Sequence, residues 1–369
     1  MIPDPMLRAL ELARNAPEPT SPNPTVGAVV LDPGGAVAGE GWTQPPPGPH
    51  AEIVALQAAS ERARGGTLYV TLEPHSFQGR TPPCTGAIIA AGVAEVHYAV
   101  ADPDKRTNGG GHRALQAAGI RVVAGEGEAE ARRAMEAFFK HRETGLPFVI
   151  AKFAASLDGR IAAASGDSRW VSGPETRAWA HTLRTRIDAI LVGSSTVVID
   201  DPQLTARPGD IEATRQPLRI VVDSRGRVPP MARVFTGPAR TLVATTDASH
   251  ADWRASVAAT GAEVLVLPSD GEHADLRALL EELGRRDVLT VLVEGGGVVL
   301  GGFFDAGLVD KVTAVIAPII VGAADAPAAV AGRGADRMAE ALRLQDVTVD
   351  RLGEDILITG YPEHASINT

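Results

Sequence analysis

Four residues in the first quarter of the chain carry side chains that could do chemistry together. His50 and Glu52 form a His-x-Glu step in "PHAE", and His75 and Cys84 bracket the loop "HSFQGRTPPC". Imidazole nitrogen and thiolate sulfur are zinc ligands, and a catalytic zinc needs three protein ligands with one position left open. A nearby glutamate that does not ligate can then carry protons to and from the activated water. Cys84 is the only cysteine in 369 residues, so no internal disulfide can engage it, which suits a reducing compartment. His50 and Glu52 open one predicted helix. Cys84 opens another after Pro82 and Pro83, a helix-start signal. Both groups would therefore lie at helix N-termini, where backbone dipoles favour a thiolate and a developing oxyanion.

His-x-Glu followed downstream by Pro and two further ligands is the arrangement of zinc deaminases. Three blocks, "SPNPTVGAVV", "PHAE" and "GRTPPCT", resemble the deaminase half of the RibD family, the bifunctional deaminase/reductases of riboflavin biosynthesis. That family usually has cysteine where this chain has His75, histidine where it has Phe77, and often asparagine where it has Asp104. Two thiolates and one imidazole leave zinc formally neutral, whereas one thiolate and two imidazoles leave it at +1. The more positive site should lower the pKa of bound water while losing thiolate affinity. The resemblance implies that His50, His75 and Cys84 hold the metal, that Glu52 is catalytic, and that Asn23 and Arg80 bind substrate. Read alone, Asn23 is equally a turn residue between two prolines, Arg80 a solvated loop arginine, and His75 a loop histidine.

Five further blocks, in order, resemble the reductase half of the same family: "KFAASLDGRIA", "GDSRWVSG", "RTRIDAILVGSSTVVIDDPQLTAR", "RIVVDSRGR" and "VLVEGGGVVLGGF". The last reads as a strand running into Gly295, Gly296 and Gly297 and then a helix, a place where backbone can approach a pyrophosphate. It is not G-x-G-x-x-G, so a Rossmann site is disfavoured. The letters of "GGGHRA" at 109–114 fit that fingerprint but follow a charged loop, and are rejected. The resemblance implies that Ser168, Arg184, Leu204, Arg207 and Glu294 line the substrate. It implies that Ala154, Trp170, Thr196, Asp200, Ser224 and the glycine run line the nicotinamide cofactor. Ser224 and Arg225, just after a strand, suit a 2′-phosphate and favour NADP over NAD. Without the resemblance, Arg184 with Arg177 and Arg186 could form a solvated helical face, Trp170 could sit in the core, and His97 reads as structural.

The elements that must position these groups alternate helix and strand. Helical spacing marks "MLRALELARNA", "HAEIVALQAASERAR", "CTGAIIAAG", "HRALQAAG" and "EAEARRAMEAFFKHR". Strands are read at "TVGAVVLD", "GTLYVTLE" and "AEVHYAVA". After Gly145 and Pro147 the chain restarts with a strand, and further strands follow at "DAILVGS", "LRIVVDS", "RTLVATT", "AEVLVLP", "VLTVLVEGG" and "KVTAVIAPII". This is an α/β protein with expected domains at 1–146 and 147–369. The resemblance implies a cytidine-deaminase-like three-layer domain followed by a dihydrofolate-reductase-like domain.

Composition excludes other classes. Net charge is −10, and both halves are acidic, which argues against a nucleic-acid groove. The N-terminus lacks the basic start and apolar run of a signal peptide, and no apolar stretch is long enough to span a bilayer. The expectation is a cytoplasmic homo-oligomer with no nucleic-acid or membrane partner. By resemblance it takes a small phosphorylated pyrimidine substrate with Zn2+ and NADPH. The alternative is a reductase with a non-catalytic deaminase-like scaffold.

Overall fold

The structure is a computed structural model that describes residues 4–17, 19–79, 81–107, 109–269 and 271–363. The chain forms two compact units, Met1–Gly145 and Leu146–Thr369.

The first unit runs α1 (Pro5–Arg14), β1 (Gly27–Leu31), β2 (Val37–Trp42), α2 (Ala51–Ala59), β3 (Thr67–Leu72), α3 (Cys84–Ala91), β4 (Glu95–Val100), α4 (Gly110–Ala117), β5 (Arg121–Ala124), α5 (Glu128–Ala134) and α6 (Glu136–Thr144). Its sheet has the order β2-β1-β3-β4-β5. β1 is antiparallel to β2 and β3, while β3, β4 and β5 are parallel. β1 is buried almost throughout, as the run "GAVVL" requires. Asp4 caps α1 by accepting from Met6 N at 2.9 Å. β2 and β5 escape the sequence reading. β2 carries Gly39 and Gly41, whose lack of a side chain lets α2 lie directly on the strand: a Cβ at Gly39 would fall 2.2 Å from Ala55 O. The helix read as continuous over 128–142 breaks at Met135, where ψ turns to 24°.

The second unit runs β6 (Phe148–Ser156), α7 (Pro174–Thr185), β7 (Ala189–Gly193), α8 (Ser194–Asp200), β8 (Leu218–Val222), β9 (Thr241–Thr245), α9 (Ala251–Ala258), β10 (Glu263–Val266), α10 (Leu276–Arg285), β11 (Thr290–Gly295), α11 (Gly297–Asp305), β12 (Lys311–Ala317), β13 (Leu344–Leu352) and β14 (Asp355–Pro362). The nine-stranded order is β10-β9-β8-β7-β11-β6-β12-β14-β13. β10 through β12 in that order are parallel, and β14 and β13 join antiparallel at one edge. Two apolar clusters cover the sheet, one around Leu191, Leu242 and Phe303, the other around Ile190, Val221 and Leu292. Alternate residues of the central strands thus feed opposite faces. β13 and β14 are absent from the sequence reading. β13 is exposed along nearly its whole length, so burial imposed no apolar run on it.

Candidate active sites

The first site forms where two helices begin. His50 is the residue before α2, and Glu52 lies in its first turn. Cys84 is the first residue of α3, following Pro83. His75 enters from the loop after β3. Nδ1 of His50 lies 3.4 Å from Cys84 Sγ, and the His50 and His75 ring centroids are 4.9 Å apart. The ligand atoms of His50, His75 and Cys84 all fall within 4.8 Å of one another. Glu52, His75 and Cys84 are buried, and His50 is half-buried.

Electrostatics in this pocket disfavour charge on every group. Burial pushes the Glu52 carboxyl up, although Cys84 and His75 act against it. Burial also pushes the Cys84 thiol well above its ordinary value, and Glu52 adds to that. Both imidazoles are lowered, chiefly by desolvation. A bound cation reverses the penalty on a thiolate and a carboxylate. The outer ring nitrogen of His50 has a partner. His50 Nε2 lies 3.2 Å from Thr81 Oγ1, and the nearby backbone of Thr81 and Pro82 partly offsets the lowering at His75. Partners on the nitrogen away from the metal are typical of ligating histidines. On donor chemistry and geometry the three residues fit zinc with one position left open.

The departures at Phe77 and Asp104 are physically linked. The Phe77 ring meets His75 edge-on at 5.4 Å, and the Arg106 guanidinium stacks 4.6 Å from the Phe77 centroid. Arg106 is held in turn by Asp104, with Nη2 2.6 Å from Oδ2. Asn23 lies in a turn closed by Thr20, whose hydroxyl donates to Asn23 O at 2.9 Å. Arg80 lies outside the described residues. Glu73 was missed by the sequence reading. It is buried and accepts from His112 N at 3.0 Å and Asp102 N at 3.4 Å, tying α4 to the strand that delivers His75. His97 bridges Glu126 at 3.0 Å and Glu95 at 2.8 Å, a structural role.

The second site gathers at the C-terminal ends of β6, β7 and β11. Glu294 receives Arg184 in two bonds, Nε to Oε1 at 3.0 Å and Nη2 to Oε2 at 2.6 Å. Arg184 is thus no solvated helical face, because it faces inward from α7. Burial alone would raise the Glu294 carboxyl, but Arg184 and Lys152 outweigh it and hold it at about 2. Lys152, on β6, was also missed. Desolvation lowers its pKa, with Glu294 opposing and Arg184 assisting. Arg184 Nη1 donates to Thr205 O at 3.1 Å. His181 Nδ1 lies 3.2 Å from that carbonyl and 3.3 Å from Arg207 N. Nδ1 donates to Thr205 O in one tautomer and accepts the Arg207 N–H in the other. Burial, Arg184 and Arg207 lower the pKa of His181, with Thr205 and Glu294 opposing. The side chain of Arg207 bonds Gln203 Oε1 at 3.2 Å and the Thr205 hydroxyl. Leu204 is buried with φ of 54°.

The expected cofactor residues divide. Thr196 and the glycine run come together: a Cβ on Gly295 would lie 3.0 Å from Thr196 Oγ1, and one on Gly297 would lie 2.5 Å from Ala328 O. Gly296 has φ of 70°, a conformation that favours glycine. Ser168 Oγ donates to Asp200 Oδ1 at 2.8 Å, which joins an expected substrate residue to an expected cofactor residue. Trp170 is 67% exposed, under the Arg177 guanidinium at 4.5 Å, so the core alternative is wrong. Ala154 sits on β6 opposite Val315 of β12. Ser224 follows β8, and its Oγ accepts from Ala274 N at 2.9 Å.

Comparison with known proteins agrees with this geometry. Residues 4–100 match the family model of the cytidine and deoxycytidylate deaminase zinc-binding region. Residues 147–358 match that of the RibD C-terminal domain. The riboflavin biosynthesis protein RibD of Escherichia coli K12 is 39% identical over 363 residues, covering 96% of this chain and 97% of its own. The chain belongs to the RibD family. Its counterpart in Mycobacterium tuberculosis H37Rv is also 39% identical, covering 95% and 94% of the two chains. The solved structure of Acinetobacter baumannii RibD, form 1, superposes with a TM-score of 0.88 at 35% identity, covering 97% and 98%. The Thermotoga maritima diaminohydroxyphosphoribosylaminopyrimidine deaminase/5-amino-6-(5-phosphoribosylamino)uracil reductase superposes with a TM-score of 0.83 at 33% identity, covering 97% of each chain. Like the RibD proteins it matches, the chain is a bifunctional deaminase and reductase of riboflavin biosynthesis, with a cytidine-deaminase-like first unit and a dihydrofolate-reductase-like second unit. Its cofactors are zinc and NADPH. The reductase-only alternative finds no support, since the zinc-binding region is matched and His50, His75 and Cys84 lie together as a group that could hold a metal.

Proposed function

We propose that residues 1–146 deaminate 2,5-diamino-6-(5-phosphoribosylamino)pyrimidin-4-one and that residues 147–369 then reduce its ribosyl group to a ribityl chain. The observation that carries this reading is the convergence of His50, His75 and Cys84 beside buried Glu52. Zinc held by His50, His75 and Cys84 would supply an activated water for attack on C2 of the pyrimidine ring. Glu52 is placed to carry a proton between the attacking water and the departing ammonia. Burial raises its pKa, so it takes up a proton more readily than an exposed carboxylate would. Asn23 and Arg80 hold the substrate in the deaminase site.

NADPH held in the reductase site would supply the hydride for C1′ of the ring-opened ribose imine. The residues of the chain grip and orient. Arg184, Arg207 and Ser168 hold the phosphorylated ribosyl part, with Leu204 and Glu294 shaping the site. Thr196, Asp200, Ser224, Ala154, Trp170 and Gly295 to Gly297 take the cofactor. The acidic balance of the chain supports a small-molecule substrate over nucleic acid. Among the described residues no helix is long and apolar enough to cross a membrane. We place the enzyme in the cytoplasm as a homo-oligomer.

The test is to supply the purified chain with the diamino substrate and NADPH. Ammonia release followed by NADPH consumption is expected. Consumption that requires the already deaminated compound, with no ammonia released from the diamino compound, would favour the reductase-only reading.

A further inference from the structure

Leu204 and Arg207, two residues expected to line the reductase substrate, lie on a stretch between α8 and β8 that belongs to no helix or strand. The backbone polar groups of such a stretch must find partners outside any ladder. Gln216 serves Ala206 on both sides: its Oε1 accepts from Ala206 N at 2.8 Å, and its Nε2 donates to Ala206 O at 3.0 Å. The flanking groups are met from α7. Arg184 Nη1 donates to Thr205 O at 3.1 Å, and His181 Nδ1 lies 3.2 Å from the same carbonyl and 3.3 Å from Arg207 N. His181 and Arg184, three residues apart on α7, share a face of that helix. Leu204 is held with φ of 54°, a left-handed conformation that a leucine keeps only where its surroundings impose it.

We propose that His181 is a positioning residue for the reductase substrate, its Nδ1 fastening the backbone beside Ala206 to α7 and so fixing where the Arg207 side chain starts. The inference rests on the reading of Arg207 as a substrate-binding residue. The ring serves in either tautomer: a protonated Nδ1 donates to Thr205 O, and a bare one accepts from Arg207 N. A guanidinium carries donors only, so Arg184 can serve Thr205 O but never Arg207 N. The Arg207 side chain is steered in turn by Gln203 Oε1 at 3.2 Å and by the Thr205 hydroxyl. Arg207 is therefore set at both ends before substrate arrives. A gripping group fixed in advance loses less freedom on binding, which strengthens its hold.

Steady-state kinetics of the full chain with the deaminated compound and NADPH test the proposal. His181→Leu removes the ring nitrogens at similar bulk. It should raise KM for the deaminated compound about three- to tenfold, the usual worth of one hydrogen bond, with kcat and the KM for NADPH little changed. His181→Ala stands in should the leucine variant not fold. His181→Asn puts an amide where Nδ1 stands and should recover most of the affinity, which a role in filling space would not do. Arg207→Ala leaves no side chain to position, so adding His181→Leu to it should raise KM no further. Additive losses in the double variant, a leucine variant with the parent KM, or an asparagine variant as weak as leucine would overturn the proposal. Failure of both His181→Leu and His181→Ala to fold would overturn it too, because His181 would then be structural. Arg207→Ala alone separates the two levels. If it raises KM while His181→Leu does not, Arg207 binds substrate and the role of His181 fails. If it keeps the parent KM, Arg207 does not bind substrate, and the proposal falls with that reading.

Discussion

Arg184 and Glu294, 110 residues apart in sequence, meet in a two-pronged ion pair at 3.0 and 2.6 Å where α7 passes the end of β11. Burial works against the Glu294 carboxylate, and Arg184 and Lys152 overcome it, holding its pKa at about 2 against an ordinary 4.5. A carboxyl depressed in the folded state contributes stability that is complete above its unfolded value and lost as pH falls through its folded value. The reductase unit should therefore lose this contribution between about pH 4.5 and pH 2. Glu294→Gln leaves two cations uncompensated and should cost about 3–5 kcal/mol at neutral pH. Denaturant titrations from pH 7 to pH 2 check both statements. The gap between parent and variant should close as the pH falls. A gap independent of pH would contradict the assignment.

Glu52→Gln should lower ammonia release by about 10²–10⁴-fold, the usual span for a general acid–base group. Reduction of the already deaminated compound should continue at the parent rate, because the reductase residues lie in the other compact unit. Paired assays of ammonia and NADPH on a well-folded variant decide this. Equal loss of both activities would argue against the division of labour.

His75→Cys exchanges an imidazole for a second thiolate. Zinc should bind more tightly, and the pKa of its water should rise because the extra positive charge is cancelled. The acidic limb of the deaminase pH–rate profile should then move to higher pH. His75→Ala leaves two protein ligands and should lose most zinc and most deamination. An unchanged acidic limb in the cysteine variant would show that His75 does not set the charge of the site.

Two glycine substitutions should have opposite signs. A Cβ at Gly301, in α11, would lie 1.0 Å from Ala331 O, whereas one at Gly86, in α3, meets nothing within 4 Å. Gly301→Ala should destabilise the reductase unit by about 1–3 kcal/mol or more through overpacking. Gly86→Ala should stabilise the deaminase unit by about 0.5–1 kcal/mol through helix propensity. Thermal unfolding of each variant measures both. Equal shifts would mean that the close approach of α11 to Ala331 is absent in solution.

The cluster of candidate metal ligands was legible because their types, their spacing and the helix-start prolines all sit within 35 residues of sequence, from His50 to Cys84. The glycine run was legible for the same reason, since strand, turn and helix are contiguous there. Groups that matter only through distant partners were not. Lys152 lies in a strand pattern, where a long cationic side chain ordinarily reaches solvent; its approach to Glu294 depends on β6 pairing with β11. Glu73 reads as the end of a strand, and its bonds to the start of α4 arise from the fold alone. Trp170 illustrates the converse, since an indole that by sequence alone could as easily be core lies exposed against Arg177. Strands β2 and β13 lack an apolar run because glycine packing and an exposed edge demand none.

X-ray absorption at the zinc edge of the purified full chain tests the central claim most directly. One zinc per chain is expected, with one sulfur neighbour at about 2.3 Å and two imidazole nitrogens at about 2.0–2.1 Å. Zinc with no sulfur neighbour, or a metal-free chain that still releases ammonia, would contradict the assignment of His50, His75 and Cys84.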